Sequence, residues 1–238
     1  MSVVPDTTTK ITFKENNSKF NSDGVQFIIN PYDELSLTKA LEIAENSGGT
    51  VTVINVGTDT EPVIRKALAI GANDAIRINA DPVDAFAVAS EIVNHIKNEN
   101  YDLIFTGRES IDYNGGMVGG MIAEMMALPL LNIVTKIDVA DKKVTAVRDI
   151  DGGKEELTCT LPCVVSAQKD LCDPLIPNMR GIMMARTKPL TVVEPSNTAL
   201  NAEYFSYELP PAKAGVRLID PENAGDLIDI LHNEIKVI

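Results

Sequence analysis

Fourteen residues near the middle of the chain, Gly107-Arg-Glu-Ser-Ile-Asp-Tyr-Asn-Gly-Gly-Met-Val-Gly-Gly120, include five glycines. Glycine lets backbone N–H groups come close to an anion, and a helix opening at the end of such a loop adds a favourable dipole. The chemistry suited to this spacing is phosphate binding by main-chain donors. The loop is not a Walker A motif, because no Gly-Lys-Ser/Thr follows, and its glycines do not give G-x-G-x-x-G. Ser47-Gly48-Gly49 faintly resembles an ATP-pyrophosphatase loop, but it follows a helical stretch and reads as a helix C-cap.

Covalent and acid–base chemistry have poorer material. There is no G-x-S-x-G nucleophile elbow. His95 and His232 lie beside no candidate Ser or Cys nucleophile, and the carboxylates are scattered. Cys159, Cys163 and Cys172 are an odd set, suited to reduced thiols in a cytoplasmic protein, and no metal-ligand spacing is seen. A binding or carrier protein fits better than a hydrolase. The chain has 21 Lys+Arg against 34 Asp+Glu, a net charge of −13. That balance argues against nucleic-acid binding and against a polybasic membrane anchor. No apolar run approaches the roughly 20 residues a spanning helix needs, and the first residues do not read as a signal peptide. The expectation is therefore a cytoplasmic protein with no membrane insertion. One segment reverses the charge: Pro174 to Val193 has no acidic residue, contains Arg180, Arg186 and Lys188, and is rich in Met and Ile. Met-rich surfaces adapt to partners.

The elements that must position the glycine loop alternate in the first half of the chain. Strands are expected at Lys10 to Phe13 and Val25 to Ile29, joined as a hairpin by the polar stretch Glu15 to Gly24. A helix after Asn30-Pro31 carries Leu37, Ala40, Leu41 and Ala44 at helical spacing. Val51 to Val56, Ala75 to Asn79 and Asp102 to Thr106 read as strands. Helices are expected from about Glu61, capped by Thr60, from Asp84 to about Asn98, and from about Gly116 to Ala127. Such alternation predicts an α/β fold: a Rossmann-like, mostly parallel sheet with helices on both faces. The second half reads as a meander, Val134 to Ala140, Val144 to Ile150 and Glu156 to Thr160, then a strand at Val164 to Ala167. Asp170 to Pro189 reads as irregular. The tail from Pro210-Pro211 reads as an extended arm with a short helix near Ala224 to His232.

Several blocks resemble the small (beta) subunit of electron transfer flavoproteins. They are Arg148-Asp-Ile-Asp-Gly-Gly153, Leu161-Pro-Cys-Val-Val-Ser-Ala167 and Ile182-Met-Met-Ala-Arg-Thr-Lys-Pro189, with Asn30-Pro-Tyr-Asp33, Ala67 to Ala72 and Gly107 to Asp112. The resemblance implies an adenine-nucleotide alpha-hydrolase-like fold and a non-enzymatic electron carrier. It implies a heterodimer with an alpha subunit that carries most of the redox FAD. Acyl-CoA or other flavin dehydrogenases would donate electrons, as in fatty acid oxidation, and a quinone oxidoreductase would accept them. This chain would hold AMP or, in an electron-bifurcating member, a second FAD. A nucleotide-hydrolysing or adenylating enzyme on the same fold, or an ATP-binding stress protein, would not explain the blocks between Arg148 and Pro189.

By the same resemblance, the main chain of Asn30, Pro31, Tyr32, Asp33 and Val56 would hold the adenosine part. The phosphate would face the loop of Gly107, Arg108, Glu109, Ser110, Ile111, Asp112, Asn114, Gly115, Gly116 and Met117, and the N–H groups near Val118 and Gly119. Residues 170–189 would form a partner-recognition loop with Met179, Ile182 and Met183 at the contact. Asp149 would face the alpha subunit's mobile flavin domain. Residues 1–190 would form the nucleotide-binding domain, and 191–238 an arm and helix packed on the partner.

Three departures from the family pattern stand out. Gly116-Met117-Val118 replaces Asn-Gln-Thr, removing side chains that help hold AMP phosphate; bifurcating members share the valine. Met184 and Thr187 replace lysines, so docking should depend less on charge. The apolar strand that precedes the segment matched by Val4-Pro5-Asp6 is represented only by Met1-Ser-Val-Val. That strand is central in the family. Its loss, through a misassigned start or a shortened chain, would leave two neighbours with unpaired backbone groups, each costing about 1–3 kcal/mol if buried. The expectation is a chain that is less stable or binds nucleotide poorly.

Overall fold

The computed structural model describes residues 1–213 and 215–238. The chain opens with β1 (Val3–Pro5), β2 (Phe13–Lys14), β3 (Lys19–Phe20) and β4 (Phe27–Ile29). Alternation follows: α1 (Pro31–Ser47), β5 (Thr52–Val56), α2 (Glu61–Ile70), β6 (Asp74–Ile78), α3 (Ala85–Ile96), β7 (Leu103–Gly107) and α4 (Val118–Met125). Next come β8 (Leu130–Ala140), β9 (Lys143–Ile150), β10 (Gly153–Thr160), β11 (Cys163–Ala167), α5 (Met179–Ala185) and β12 (Leu190–Val193). Near the end lie a 3₁₀ turn at Pro221–Asn223, α6 (Gly225–Asp229) and a π-helical turn at Ile230–Ile235.

Local sequence accounts for most helix boundaries. Pro31 opens α1, whose end is set by Gly48 in the left-handed region (φ 73°) with its N–H on the Ala44 carbonyl. Asp84 caps α3, accepting from the Ala87 N–H at 2.6 Å. Thr60 precedes α2 but does not cap it with its side chain; its hydroxyl donates to Asn55 Oδ1 at 2.5 Å instead. The residues expected to be irregular from Asp170 to Pro189 include α5, capped by Asn178 accepting from the Gly181 N–H.

The amino-terminal hairpin differs from the expected one. Three left-handed residues, Glu15, Asn16 and Asn17, close a short turn that pairs β2 with β3. β4 pairs antiparallel with β1, so the two expected strands are not partners. Asn and Asp tolerate left-handed backbone, which is why the polar stretch could turn earlier than its length suggested.

The expected parallel sheet is present as two pieces. β12, β6 and β5 form a parallel three-stranded sheet, and β10, β9, β8, β11 and β7 form a five-stranded one. In the latter, β11 runs parallel to both β7 and β8, while β8, β9 and β10 make the antiparallel meander. α1 and α2 cover one face of the short sheet with Leu37, Ile64 and Leu68 against Val53 and Ala75. α3 and α4 cover the other face with Ala89, Ile92 and Ile122 against Val56, Ile78 and Val164. A third cluster, around Leu131, Val144, Cys163 and Val165, lies at the base of the meander. Burial there, beside Cys159, pushes the Cys163 thiol up to about 12. No helix is long and apolar enough to cross a membrane among the described residues.

β5 and β7 face each other without pairing. Between them runs a groove of about 430 Å³ walled by β5, β7, α1 and the Ile96 to Tyr101 segment. Met1 sits at one end of it. Its ammonium donates to the Ile54 carbonyl at 2.9 Å, and the Asn55 amide donates to the Met1 carbonyl at 2.9 Å.

Beyond β12 the chain is fixed to α3 by two carboxylates. Glu91, which is buried, accepts from the N–H groups of Ser196 and Thr198 and from the Thr198 hydroxyl at 2.6–2.9 Å. Asp84 accepts from the N–H groups of Asn201 and Ala202. Further on, Tyr204 stacks on Tyr207 and Tyr207 on Phe13, and the Tyr207 N–H donates to the Asn17 carbonyl. Burial alone would push the Glu91 carboxyl up, but the donors from Thr198 and Ser196 outweigh it and hold the group below the usual glutamate range. The stabilisation by Glu91 is thus present above the unfolded value near 4.3 and is lost as pH falls through the lower folded value. Glu91→Gln should raise amide exchange at Ser196 and Thr198 at pH 7 by on the order of tenfold, since hydrogen bonds to a charged group are the stronger kind. Unchanged protection there would remove the clamp.

Candidate functional site

The C-terminal ends of β4, β5 and β7 bring Asn30, Val56 and Gly107 to one edge of the sheets, where open α/β folds bind ligands. The first turn of α1 fixes the arrangement. Asp33 Oδ2 accepts from the Asn30 amide at 2.8 Å and from the Ser2 N–H at 3.1 Å, and Oδ1 accepts from the Gly107 N–H at 3.1 Å. Asn30, 1% exposed, also donates to the Glu109 carbonyl at 2.8 Å and accepts from the Ile111 N–H at 3.2 Å. Ser36 donates to the Thr106 carbonyl at 2.6 Å. Two buried side chains therefore bracket the start of the glycine loop.

The main chain of Asn30 is itself occupied: its N–H donates to the Ser2 carbonyl, and its carbonyl accepts from Asp33 and Glu34. The Asn30 side chain ties the start of α1 to the start of the glycine loop. Gly107 has a strict reason to be glycine, since a Cβ would lie 2.8 Å from Tyr32 Cβ and 3.0 Å from the Tyr32 carbonyl carbon. Arg108 lies over the Tyr32 ring, 5.8 Å from its centroid, and pairs with Glu109 at 3.2 Å.

From there the loop folds on itself. The Ser110 N–H donates to the Gly115 carbonyl at 3.0 Å, the Ser110 hydroxyl bonds the Asp112 carboxylate, and left-handed Asn114 turns the chain. Gly115 leaves room for the Tyr113 ring. The loop ends at the start of α4, where Met117 supplies no side-chain cap. The first intrahelical bond runs from the Met121 N–H to the Met117 carbonyl, so the N–H groups of Val118, Gly119 and Gly120 precede the helix's own ladder. Gly119 is pressed against Thr106: an added Cβ would lie 2.7 Å from Oγ1. That hydroxyl oxygen is buried and has no hydrogen-bond partner. An uncapped helix start, a backbone cradle that a Cβ would fill and an orphaned hydroxyl beneath it together suit an oxyanion, and a phosphate group fits.

Among the described residues, no group of three or more His, Cys, Asp and Glu could hold a metal. Asp149 is elsewhere, on the meander with Lys154 3.8 Å away. Met179, Ile182 and Met183 are exposed on α5, also apart from the glycine loop.

The sequence matches the model of the electron transfer flavoprotein domain over residues 18–198. The chain belongs to the electron transfer flavoprotein family. It is 34% identical to the electron transfer flavoprotein subunit beta of Bacillus subtilis, with 98% of this chain and 96% of the relative covered. It is equally identical to the beta subunit of Syntrophomonas wolfei, with 98% and 94% covered. It is also 30% identical to the caffeyl-CoA reductase-Etf complex subunit CarD of Acetobacterium woodii, with 98% and 95% covered.

Within this member of the family, α5 is held against α2 by three contacts. Lys188 sends its ammonium into the end of α2, donating to the carbonyls of Leu68, Gly71 and Ala72 at 2.5–3.2 Å. Burial pulls that ammonium below the usual lysine range. Arg65 on α2 donates back to the carbonyls of Ala185 and Lys188 at 2.8–2.9 Å. Gly181 packs directly on the Ala69 carbonyl. Sequence reasoning read the basic residues as local charge and missed these roles. It also missed Ser36 and Thr106; the Thr-Gly pair ending a strand before the glycine loop was the available signal.

Proposed function

We propose that this chain is the nucleotide-holding beta subunit of an electron-carrying heterodimer. Its alpha partner would hold most of the redox FAD, and flavin dehydrogenases such as those acting on acyl-CoA would supply electrons for a quinone oxidoreductase. AMP is the nucleotide. The observation that carries the reading is the uncapped start of α4 above the buried Thr106 hydroxyl, framed by Gly107 and Gly119. The N–H groups of Val118 and Gly119 face the phosphate, and Tyr32, Asp33 and Val56 border the adenosine. Residues 1–190 form the nucleotide-binding domain, on which 191–207 are also held, and the rest of the 191–238 arm packs on the alpha subunit. Residues 170–189 dock the dehydrogenase through Met179, Ile182 and Met183, while Asp149 meets the partner's flavin domain. The complex works in the cytoplasm as a carrier, not an enzyme.

A second FAD is the rival occupant, and the side chains at the helix start favour considering it. Gly116, Met117 and Val118 offer no side-chain hydroxyl or amide to a terminal phosphate, which leaves the main-chain donors and the Thr106 hydroxyl to serve. Co-expression with the alpha partner, denaturation and quantification of released nucleotides by chromatography with mass detection separates the two. One FAD and one AMP per heterodimer is the expected result. Two FAD and no AMP would make the complex a bifurcating type, and no nucleotide beyond the alpha-subunit FAD would refute the site.

A further inference from the structure

A later part of the chain meets the glycine loop. Asp84 caps α3 shortly after the C-terminal end of β6, on the edge that also carries Val56 and Gly107. There it accepts from the N–H groups of Asn201 and Ala202 at 2.6 and 3.1 Å. The chain then passes to the amino-terminal hairpin. The Tyr207 N–H donates to the Asn17 carbonyl at 2.7 Å, and the Tyr207 ring stacks on Phe13 with centroids 5.0 Å apart. Residues 203–206 lie between these two fixed points.

Tyr113 is the loop's side of the contact. Ser110 bridges to Gly115 and left-handed Asn114 turns the chain, which puts Tyr113 at the tip of a small hairpin. Its ring rests against Gly115, where a Cβ would come within 2.2–2.6 Å of Cε2, Cζ and Oη. Burial pushes the Tyr113 phenol up, and the neighbouring Tyr204 and Asp112 push it further. Tyr204 in turn stacks on Tyr207, with centroids 5.6 Å apart. Tyr113, Tyr204, Tyr207 and Phe13 thus form an aromatic row from the tip of the glycine loop to the amino-terminal hairpin.

The crossing segment is held by these few contacts and not by the core. Residues 199–206 are all exposed. Segments that bury little apolar surface open locally, at free energies well below that of global unfolding. Among the described residues, its hydrogen bonds run to Glu91, Asp84 and Asn17, and none runs to Asn30, Asp33 or Thr106.

We propose that residues 196–207 are a strap across the nucleotide site, latched by Tyr204 on Tyr113, and that bound adenine nucleotide enters and leaves when this strap lifts. The inference rests on the glycine loop being the nucleotide site. Because the strap bonds to the surroundings of the phosphate cradle and not to the side chains that frame it, it governs passage and not affinity. Lifting it speeds entry and exit alike.

The test uses the heterodimer with its alpha partner and isotope-labelled AMP, or labelled FAD where denaturation releases a second FAD. Tyr204→Ala should raise the association and dissociation rate constants together, by on the order of tenfold, and leave Kd within about twofold of the parent. Tyr207→Ala should do the same, although Tyr207 sits at the hairpin end of the row. Tyr204→Phe keeps the ring and should match the parent. Tyr204 is half exposed, so the urea midpoint of its variants should stay that of the parent. Parent rates in Tyr204→Ala overturn the strap. So does faster dissociation with unchanged association, which marks a weakened site and not an opened one. A parent heterodimer that holds neither AMP nor a second FAD overturns the site and the strap together. One that holds a nucleotide whose exchange ignores Tyr204 overturns the strap alone.

Discussion

Asp33→Ala should lower the stability of the chain by about 3 kcal/mol and abolish nucleotide retention in the purified heterodimer. The carboxylate accepts from three donors on three separate segments, Ser2, Asn30 and Gly107. Alanine fills none of those positions, and each donor left buried without a partner costs about 1–3 kcal/mol, though not additively. The Asn30 amide would keep its bond to the Glu109 carbonyl, so the loop start should loosen without detaching. In a chain of this size the loss corresponds to a fall in Tm of roughly 6–12 °C. Asp33→Asn retains one acceptor oxygen but turns an NH₂ toward donors, and should fall between the two. A urea titration with an unchanged slope would show the loss to be one of stability. A midpoint within 0.5 kcal/mol of the parent, taken as about the spread of ordinary surface substitutions, would mean that the bracket does not hold the site.

How much of this was legible beforehand differs by element. The α/β class, the meander and the glycine loop followed from patterns confined to a few neighbouring residues. The Asp33 bracket did not, because its partners lie 31 and 74 positions away and no periodicity links Asp33 to Gly107. α5 was hidden for a related reason. Met179–Ala185 is only seven residues long, too short to stand as an isolated helix, and it persists because α2 lies under it. The division of the sheet was foreshadowed by the short apolar stretch before Pro5, but the sequence could not say that β1 would pair antiparallel with β4. Thr60 shows the opposite error. A hydroxyl at a helix start reads as a cap, yet a buried amide oxygen within reach, that of Asn55, took the bond.

The largest effect on the proposed docking surface should come from Gly181→Ala. A Cβ at that position would lie 2.3 Å from the Ala69 carbonyl oxygen, a backbone atom that cannot swing aside as a side-chain tip would. Either α5 lifts from α2 or the end of α2 shifts, and both strain the bonds from Lys188 to Leu68, Gly71 and Ala72 and from Arg65 to Ala185 and Lys188. Overpacking of this kind costs typically 1–3 kcal/mol, and we expect about 2 kcal/mol here. Lys188→Met should produce a similar loss by another route, because it keeps the apolar stem but leaves three helix-end carbonyls without their donor. The two variants should therefore be less than additive, since each releases the same helix. Amide exchange should quicken across residues 179–188 while β6 and β11 keep their protection. With α5 displaced, Met179, Ile182 and Met183 no longer share a fixed surface. Electron transfer from a docked dehydrogenase should then fall at least tenfold at limiting concentration and recover partly at high concentration. A helix that loosens while transfer is unchanged would place the docking surface elsewhere on the chain.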